Sequence, residues 1–240
     1  MEIFPAIDLK DGKVVRLTQG DYNCVDVYSE NPVDIALSFA KKGAKNLHVV
    51  DLDGARDGKL SNFTTIKDIA EKAKMFIEVG GGIRDEERVN RYLEIGVGRV
   101  ILGTVAATDF AFLERMVAAY GEKIAVGVDA KDEKIAVNGW TKVTGLDSVK
   151  FCKKLENAGV KTIIYTDISK DGAMQGTNME IYKRLQSGVA CNFIASGGIS
   201  SLKEIRELLQ LGVYGAIVGK AIYQGALKLE EVLSICRQNG

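Results

Sequence analysis

The 240-residue sequence predicts an α/β fold: a closed (βα)8 barrel, the TIM-barrel architecture, made of two duplicated (βα)4 halves. Three observations predict it. Eight short apolar runs alternate with amphipathic segments along the whole chain. Two long stretches, "FIEVGGGIRDEERVNRYLEIGVGRVILGT" and "FIASGGISSLKEIRELLQLGVYGAIVGKA", repeat one pattern. Residue types also recur at one fixed offset: Gly43 and Gly159, Asp51 and Asp167, Gly81 and Gly197, Gly96 and Gly212, and Gly103 and Gly219 all lie 116 residues apart. That period is too long for a solenoid, whose units run about 20–50 residues, and fits a doubled half-fold.

The runs in order are "EIFPAID", "NLHVVD", "MFIEV" and "GRVILG", then "KIAVGVD", "KTIIYT", "CNFIA" and "GAIVG". They are nearly continuous in apolar residues rather than alternating, as strands buried on both faces are. Helix signals fall between them. Asn31-Pro32 supplies a cap and a first-turn proline. Asp85 caps "EERVNRYLE", which stops at Gly96. Ser201 and Glu204 have capping-box spacing, with Ser200 an alternative cap. Eight strand–helix units allow a closed barrel or an open doubly wound sheet. Equal halves, about 1–120 and 121–240, favour a single barrel domain over 1–240, near the usual size of about 250 residues.

Composition narrows the function. The chain is 46% hydrophobic and 27% charged, with 32 Lys+Arg against 32 Asp+Glu. A formal net charge of zero without a basic run argues against a nucleic-acid partner. Cys24, Cys152, Cys191 and Cys236 are scattered, so no zinc site is expected. Cys152, in "VKFCKKL", reads as a small apolar filler. No basic leader precedes "MEIFPAIDL", and no apolar run reaches the roughly 18 residues of a membrane span. The expectation is a cytoplasmic protein that meets no membrane.

In such a barrel the chemistry sits at the C-terminal strand ends. Strands three and seven run into Gly81-Gly82 and Gly197-Gly198; strands four and eight run into Gly103-Thr104 and Gly219-Lys220. Glycine lets backbone N–H groups approach an anion, and a following helix N-terminus favours negative charge. Two such clusters half a barrel apart predict a small substrate with a phosphate at each end. Asp8 and Asp129 end strands one and five, opposite each other in an eight-strand ring, where two acids flanking a reacting centre can divide proton removal and donation. Burial or a neighbouring anion must raise the donor's pKa, and either acid could instead cap a helix or pair with a nearby lysine. His48, the only histidine, is either a satisfied core residue or a substrate contact. Trp140, in the polar connection "KIAVNGWTK", either stacks on a flat ring or packs on the rim. "SKDGAMQGTN" is too long for a plain turn and reads as a site loop.

Together "PAIDLKDGKVVRLTQGDY", "HVVDLDGA", "EVGGGIR", "LGTVA", "GVDAKD", "VNGW", "TDISKDGAMQGTN", "ASGGIS" and "IVGKAI" resemble the HisA-type isomerases of histidine biosynthesis from end to end. The resemblance implies a cofactor-free Amadori rearrangement of an aminoaldose to an aminoketose in a bisphosphate substrate, with no metal needed; a monomer is the expectation for assembly. It implies Asp8 as base and Asp129 as acid. It places phosphate at Gly81, Gly82, Gly103 and Thr104, and at Gly176, Gly198, Gly219 and Lys220. Thr166, Asp171, His48 and Trp140 match positions near the substrate. One departure is Ala173, where the family often has threonine. The rival readings are the sister cyclase of the same pathway, which takes ammonia from a glutaminase, and an isomerase that also accepts phosphoribosylanthranilate. A Schiff-base aldolase lacks its strand-end lysine here, and a glycoside hydrolase fits poorly with doubled phosphate loops and scarce aromatics. A non-catalytic phosphoribosyl-ligand sensor is the alternative of a different class.

Overall fold

The computed structural model describes residues 1–18 and 21–237; the Gln19-Gly20 pair of the first quoted motif lies outside them. Its strands are β1 (Glu2–Lys10), β2 (Lys13–Thr18), β3 (Asp21–Ser29), β4 (Asn46–Asp51), β5 (Phe76–Gly80), β6 (Arg99–Leu102), β7 (Ile124–Lys131), β8 (Lys134–Val137), β9 (Lys142–Asp147), β10 (Thr162–Asp167), β11 (Asn192–Ser196) and β12 (Gly215–Val218). Parallel pairing runs β1–β4–β5–β6–β7–β10–β11–β12 and returns from β12 to β1. The eight expected strands are thus the staves of a closed (βα)8 barrel, with helices between them. Among the described residues, no helix is long and apolar enough to cross a membrane.

Each stave is buried on both faces, which explains the continuous apolar runs. Phe4, Ala6, Ile101, Ala125, Ile164, Ile194 and Ile217 point inward and fill the lumen. The alternate residues, such as Ile3, Ile7, Val49, Ile77, Val100, Ile163 and Phe193, point outward and pack under the helices. The helix signals act as expected. Asn31 accepts from the Asp34 N–H with Pro32 in the first turn, Asp85 accepts from the Arg88 N–H, and Ser201, not Ser200, is the cap that accepts from the Glu204 N–H.

Four strands were not anticipated. β2–β3 and β8–β9 are antiparallel extensions that rise from β1 and β7. The segment expected to be a polar connection after strand five is therefore β8 and the turn that leads to β9. Asp11-Gly12 and Asp132-Glu133 are the two-residue turns that start these hairpins, and all four residues have positive φ. That is the type I′ geometry whose right-handed twist matches paired strands, and Asp-Gly is its strongest sequence signal. The signal was present in "LKDGKVV" but was masked by reading each strand end as a stop.

The 116-residue offset reappears in side-chain chemistry. Asn62 Nδ2 donates to Asp51 Oδ1 at 2.7 Å, and Asn178 Nδ2 donates to Asp167 Oδ2 at 2.8 Å. Both aspartates are buried, and each holds the loop beyond its own stave. A Cβ on Gly81 would strike the backbone of Asp51, and one on Gly197 the backbone of Asp167. The two glycine turns are therefore pressed against equivalent neighbours, and both need glycine for lack of space as well as for positive φ.

Candidate active site

A cavity opens at the C-terminal ends of the staves. Its floor is the apolar lumen. Gly80 and Gly127 point inward there, so no side chain fills the space above Ile101. Asp8 of β1 and Asp129 of β7 both line the cavity, four staves apart around the ring of eight. The predicted opposition of the two acids is what the topology produces.

Their surroundings differ. Arg16 Nη1 lies 2.8 Å from Asp8 Oδ2, with both groups largely buried. The lysines considered as partners are not involved: Lys10 pairs with Asp11 and Lys13 with Glu30. Burial holds the Asp8 carboxyl above the ordinary carboxylate range; Arg16 pulls it back and Asp171 pushes it further up. Burial also raises Asp129, which hydrogen bonds from Trp140 and Thr166 partly offset. Among the described residues Asp129 has no arginine or lysine ion pair like that of Asp8, and the charge of His48 adds only a smaller lowering. Asp8 is therefore the acid with a cation at contact distance, and its ionised form is the better supported of the two.

Arg16 was missed in the sequence because β2 was missed. It arrives over the cavity only through the hairpin, in the register that places Val15 opposite Asp8. Gly219 leaves room for it, since a Cβ there would run into the guanidinium. The remaining signal was the arginine within "KVVRLT", a β-branched run.

The first glycine cluster, Gly81, Gly82, Gly103 and Thr104, lines one side of the cavity, and Gly198, Gly219 and Lys220 line the other with Gly197. Arg84, also missed, lines the first side and donates to the Ala55 carbonyl. Lys220 Nζ reaches the Gly172 carbonyl at 3.1 Å, tying the second side to the loop after β10. Thr104 Oγ1 accepts from the Asn138 N–H at 2.8 Å, tying the first side to the turn that holds Trp140. Gly176 is the exception. It does not line the cavity; its carbonyl sits where a Cβ on Gly198 would go, so it backs the second cluster.

Of the two expectations for Trp140, the position facing the substrate space is the one the structure supports, not the outer rim. Trp140 lines the cavity, in a turn where Asn138, Gly139 and Trp140 all have positive φ. Thr166 and Asp171 line it too, and Asp171 raises both catalytic candidates. His48 combines the two readings given above: Nδ1 is satisfied by Glu78 at 2.8 Å, and the ring still lines the cavity. Among the described residues, no group of three or more His, Cys, Asp or Glu side chains is placed to hold a metal ion.

Burial without a cation makes Asp129 a stability liability. Its folded pKa lies above the ordinary 3.8. Between those two values the folded state binds more protons than the unfolded state, so stability falls as pH rises through that window and stays reduced at neutral pH. Asp129→Asn keeps an acceptor for Trp140 and Thr166 and loses the charge. Thermal melting at pH 7 should therefore show a more stable protein, with the gain shrinking as pH falls toward 4. Asp8→Asn should not gain, because it strands the buried Arg16.

The comparison with known proteins decides the family. The family model described as "Histidine biosynthesis protein" matches residues 2–228. The chain belongs to that family. Relatives in this histidine biosynthesis family span its full length. A Brachyspira hyodysenteriae protein is 50% identical over 238 residues, covering 99% of this chain and 100% of its own. An Oceanobacillus iheyensis protein is 49% identical over 233 residues, covering 97% of each. One from Clostridioides difficile is 48% identical over 236 residues, covering 98% of each. All three are named 1-(5-phosphoribosyl)-5-((5-phosphoribosylamino)methylideneamino)imidazole-4-carboxamide isomerase.

Proposed function

We infer that this chain is the isomerase its relatives are named for: an Amadori isomerase of histidine biosynthesis that converts the bisphosphate aminoaldose to the aminoketose. The observation that carries the site assignment is the pair of partly buried aspartates on opposite staves, between two glycine clusters. One phosphate lies against Gly81, Gly82, Gly103 and Thr104, and the other against Gly198, Gly219 and Lys220, with Gly176 supporting from behind. Both phosphates bind away from the reacting carbons, so their binding energy positions the sugar.

Asp129, raised by burial and without a cation, carries the proton given to the ribose ring oxygen. The ring opens to a protonated Schiff base. Asp8, kept ionised by Arg16, takes the proton from C2 and leaves an enolamine. Protonation at C1 and loss of the hydroxyl proton at C2 complete the ketone, so the product is an isomer and no electron acceptor is consumed. Trp140 and Thr166 hold Asp129, and Asp171 and His48 border the substrate. The protein works as a cytoplasmic monomer on this small molecule.

A spectrophotometric assay on the purified protein tests the reading. The aminoaldose should be converted with no ammonia, glutaminase or added cofactor. Binding without turnover would favour the sensor, and turnover that requires ammonia would favour the cyclase.

A further inference from the structure

Two charged residues lie inside the barrel below the proposed reaction centre and take no part in the chemistry above. Glu78, in "FIEVG" of β5, is fully buried, and Arg99 of β6 is 5% exposed. Their Cα positions are paired in the parallel register, and His48 is paired with Glu78 from the other side. Arg99 donates from Nε at 3.1 Å and from Nη2 at 2.7 Å, both to Glu78 Oε2. Its Nη1 donates to Thr162 Oγ1 at 3.0 Å, and the guanidinium lies over the rings of Phe4 and Phe76. Among the described residues, the partner of Glu78 Oε1 is His48 Nδ1, at 2.8 Å.

A guanidinium has donors and no acceptor. With two of its N–H groups on one carboxylate oxygen, Glu78 is held as the anion; a proton on Oε1 would leave a buried cation beside a neutral group. An anionic carboxylate only accepts, so the shared proton must sit on Nδ1. In its neutral form the imidazole then presents the other nitrogen, Nε2, to the cavity as an acceptor. We propose that Glu78, itself oriented by Arg99, is a positioning residue that fixes His48 in the Nδ1–H tautomer, so that Nε2 accepts a hydrogen bond from a hydroxyl or amine of the bound sugar. The assignment of a sugar donor rests on the function proposed above; the tautomer does not.

The chain has one histidine, so its imidazole nitrogens give the only signals of their kind. In the free protein, 15N NMR of the neutral His48 ring should show a pyrrole-like Nδ1 and a pyridine-like Nε2. The reverse pattern would overturn the proposal whatever the enzyme's activity. Glu78→Gln supplies a second arm. Arg99 can only donate, so the amide oxygen must turn to Arg99 and the NH2 group to Nδ1. That reverses the tautomer and exchanges the two 15N signals. Turnover per KM should then fall about ten-fold, roughly the worth of one hydrogen bond. In a His48→Ala background the same substitution should have almost no further effect. Additive losses, or unchanged nitrogen signals in a folded Glu78→Gln protein, would make Glu78 a packing residue and refute the role.

Discussion

Asp8→Asn should lower kcat by about 10²- to 10⁴-fold, the range set by loss of a positioned general base, while KM changes little. The proposed phosphate-binding clusters lie on other staves and should survive the substitution. Asp129→Asn should also lower kcat steeply, but with the opposite pH signature. In the parent, turnover should fall at low pH as Asp8 becomes protonated, and burial should place that limb above the ordinary carboxylate value of 3.8. It should fall at high pH as Asp129 loses its proton, again from a raised value. Residual turnover in Asp129→Asn should lose the high-pH limb and keep the low-pH one. Because the two carboxylates share a cavity, the limbs belong to the pair, and the single substitutions assign them. Steady-state kinetics across the pH range for the three proteins checks this.

Gly82→Ala should have the largest effect on the fold of any one-methyl change at the site. Its φ is +68°, and a Cβ would be driven into the Gly54 carbonyl, which is backbone and cannot swing away. Gly54 is locked in turn, since its N–H donates to Asp51 Oδ1 at 2.9 Å. Left-handed strain adds to the collision, for a total cost of about 2–5 kcal/mol, or a fall in melting temperature of roughly 5–15 °C for a chain of this size. Gly96→Ala is the control. Its φ is +90° but a Cβ would meet open space, so only the conformational cost of about 1 kcal/mol applies. Equal melting temperatures for the two variants would show that the first glycine cluster is not held as described.

Why some of this was legible in the sequence and some not has a physical basis. The staves announce themselves because each is apolar on both faces, a property local to five or six residues. The glycine clusters and the opposed aspartates follow from strand ends and a fixed offset, which need no side-chain packing. Arg16 and the hairpins were missed because each strand was read as stopping at its aspartate, so the turn signal in "LKDGKVV" and the pairing of β2 with β1 and β3 were not followed. Glu78 and Arg99 were visible as lone charges within "FIEV" and "GRVIL", yet their meaning depends on two staves being neighbours with their inward faces in register. His48 could not be read from one strand alone, since its satisfied nitrogen belongs to Glu78 and its free one to the cavity. The tie between Lys220 and Gly172 likewise joins loops 48 residues apart in sequence.

The central claim is an elongated bisphosphate held by its ends with the two acids at its middle. A crystal structure of the Asp8→Asn protein with the aminoaldose bound tests it most directly. We predict one phosphate against Gly81-Gly82 and Gly103-Thr104, the other against Gly198 and Gly219-Lys220, the C2 carbon beside residue 8, and Asp129 on the far side at the ring oxygen. Both phosphates on one side of the barrel mouth, or a sugar carbon out of reach of residue 8, would contradict the account.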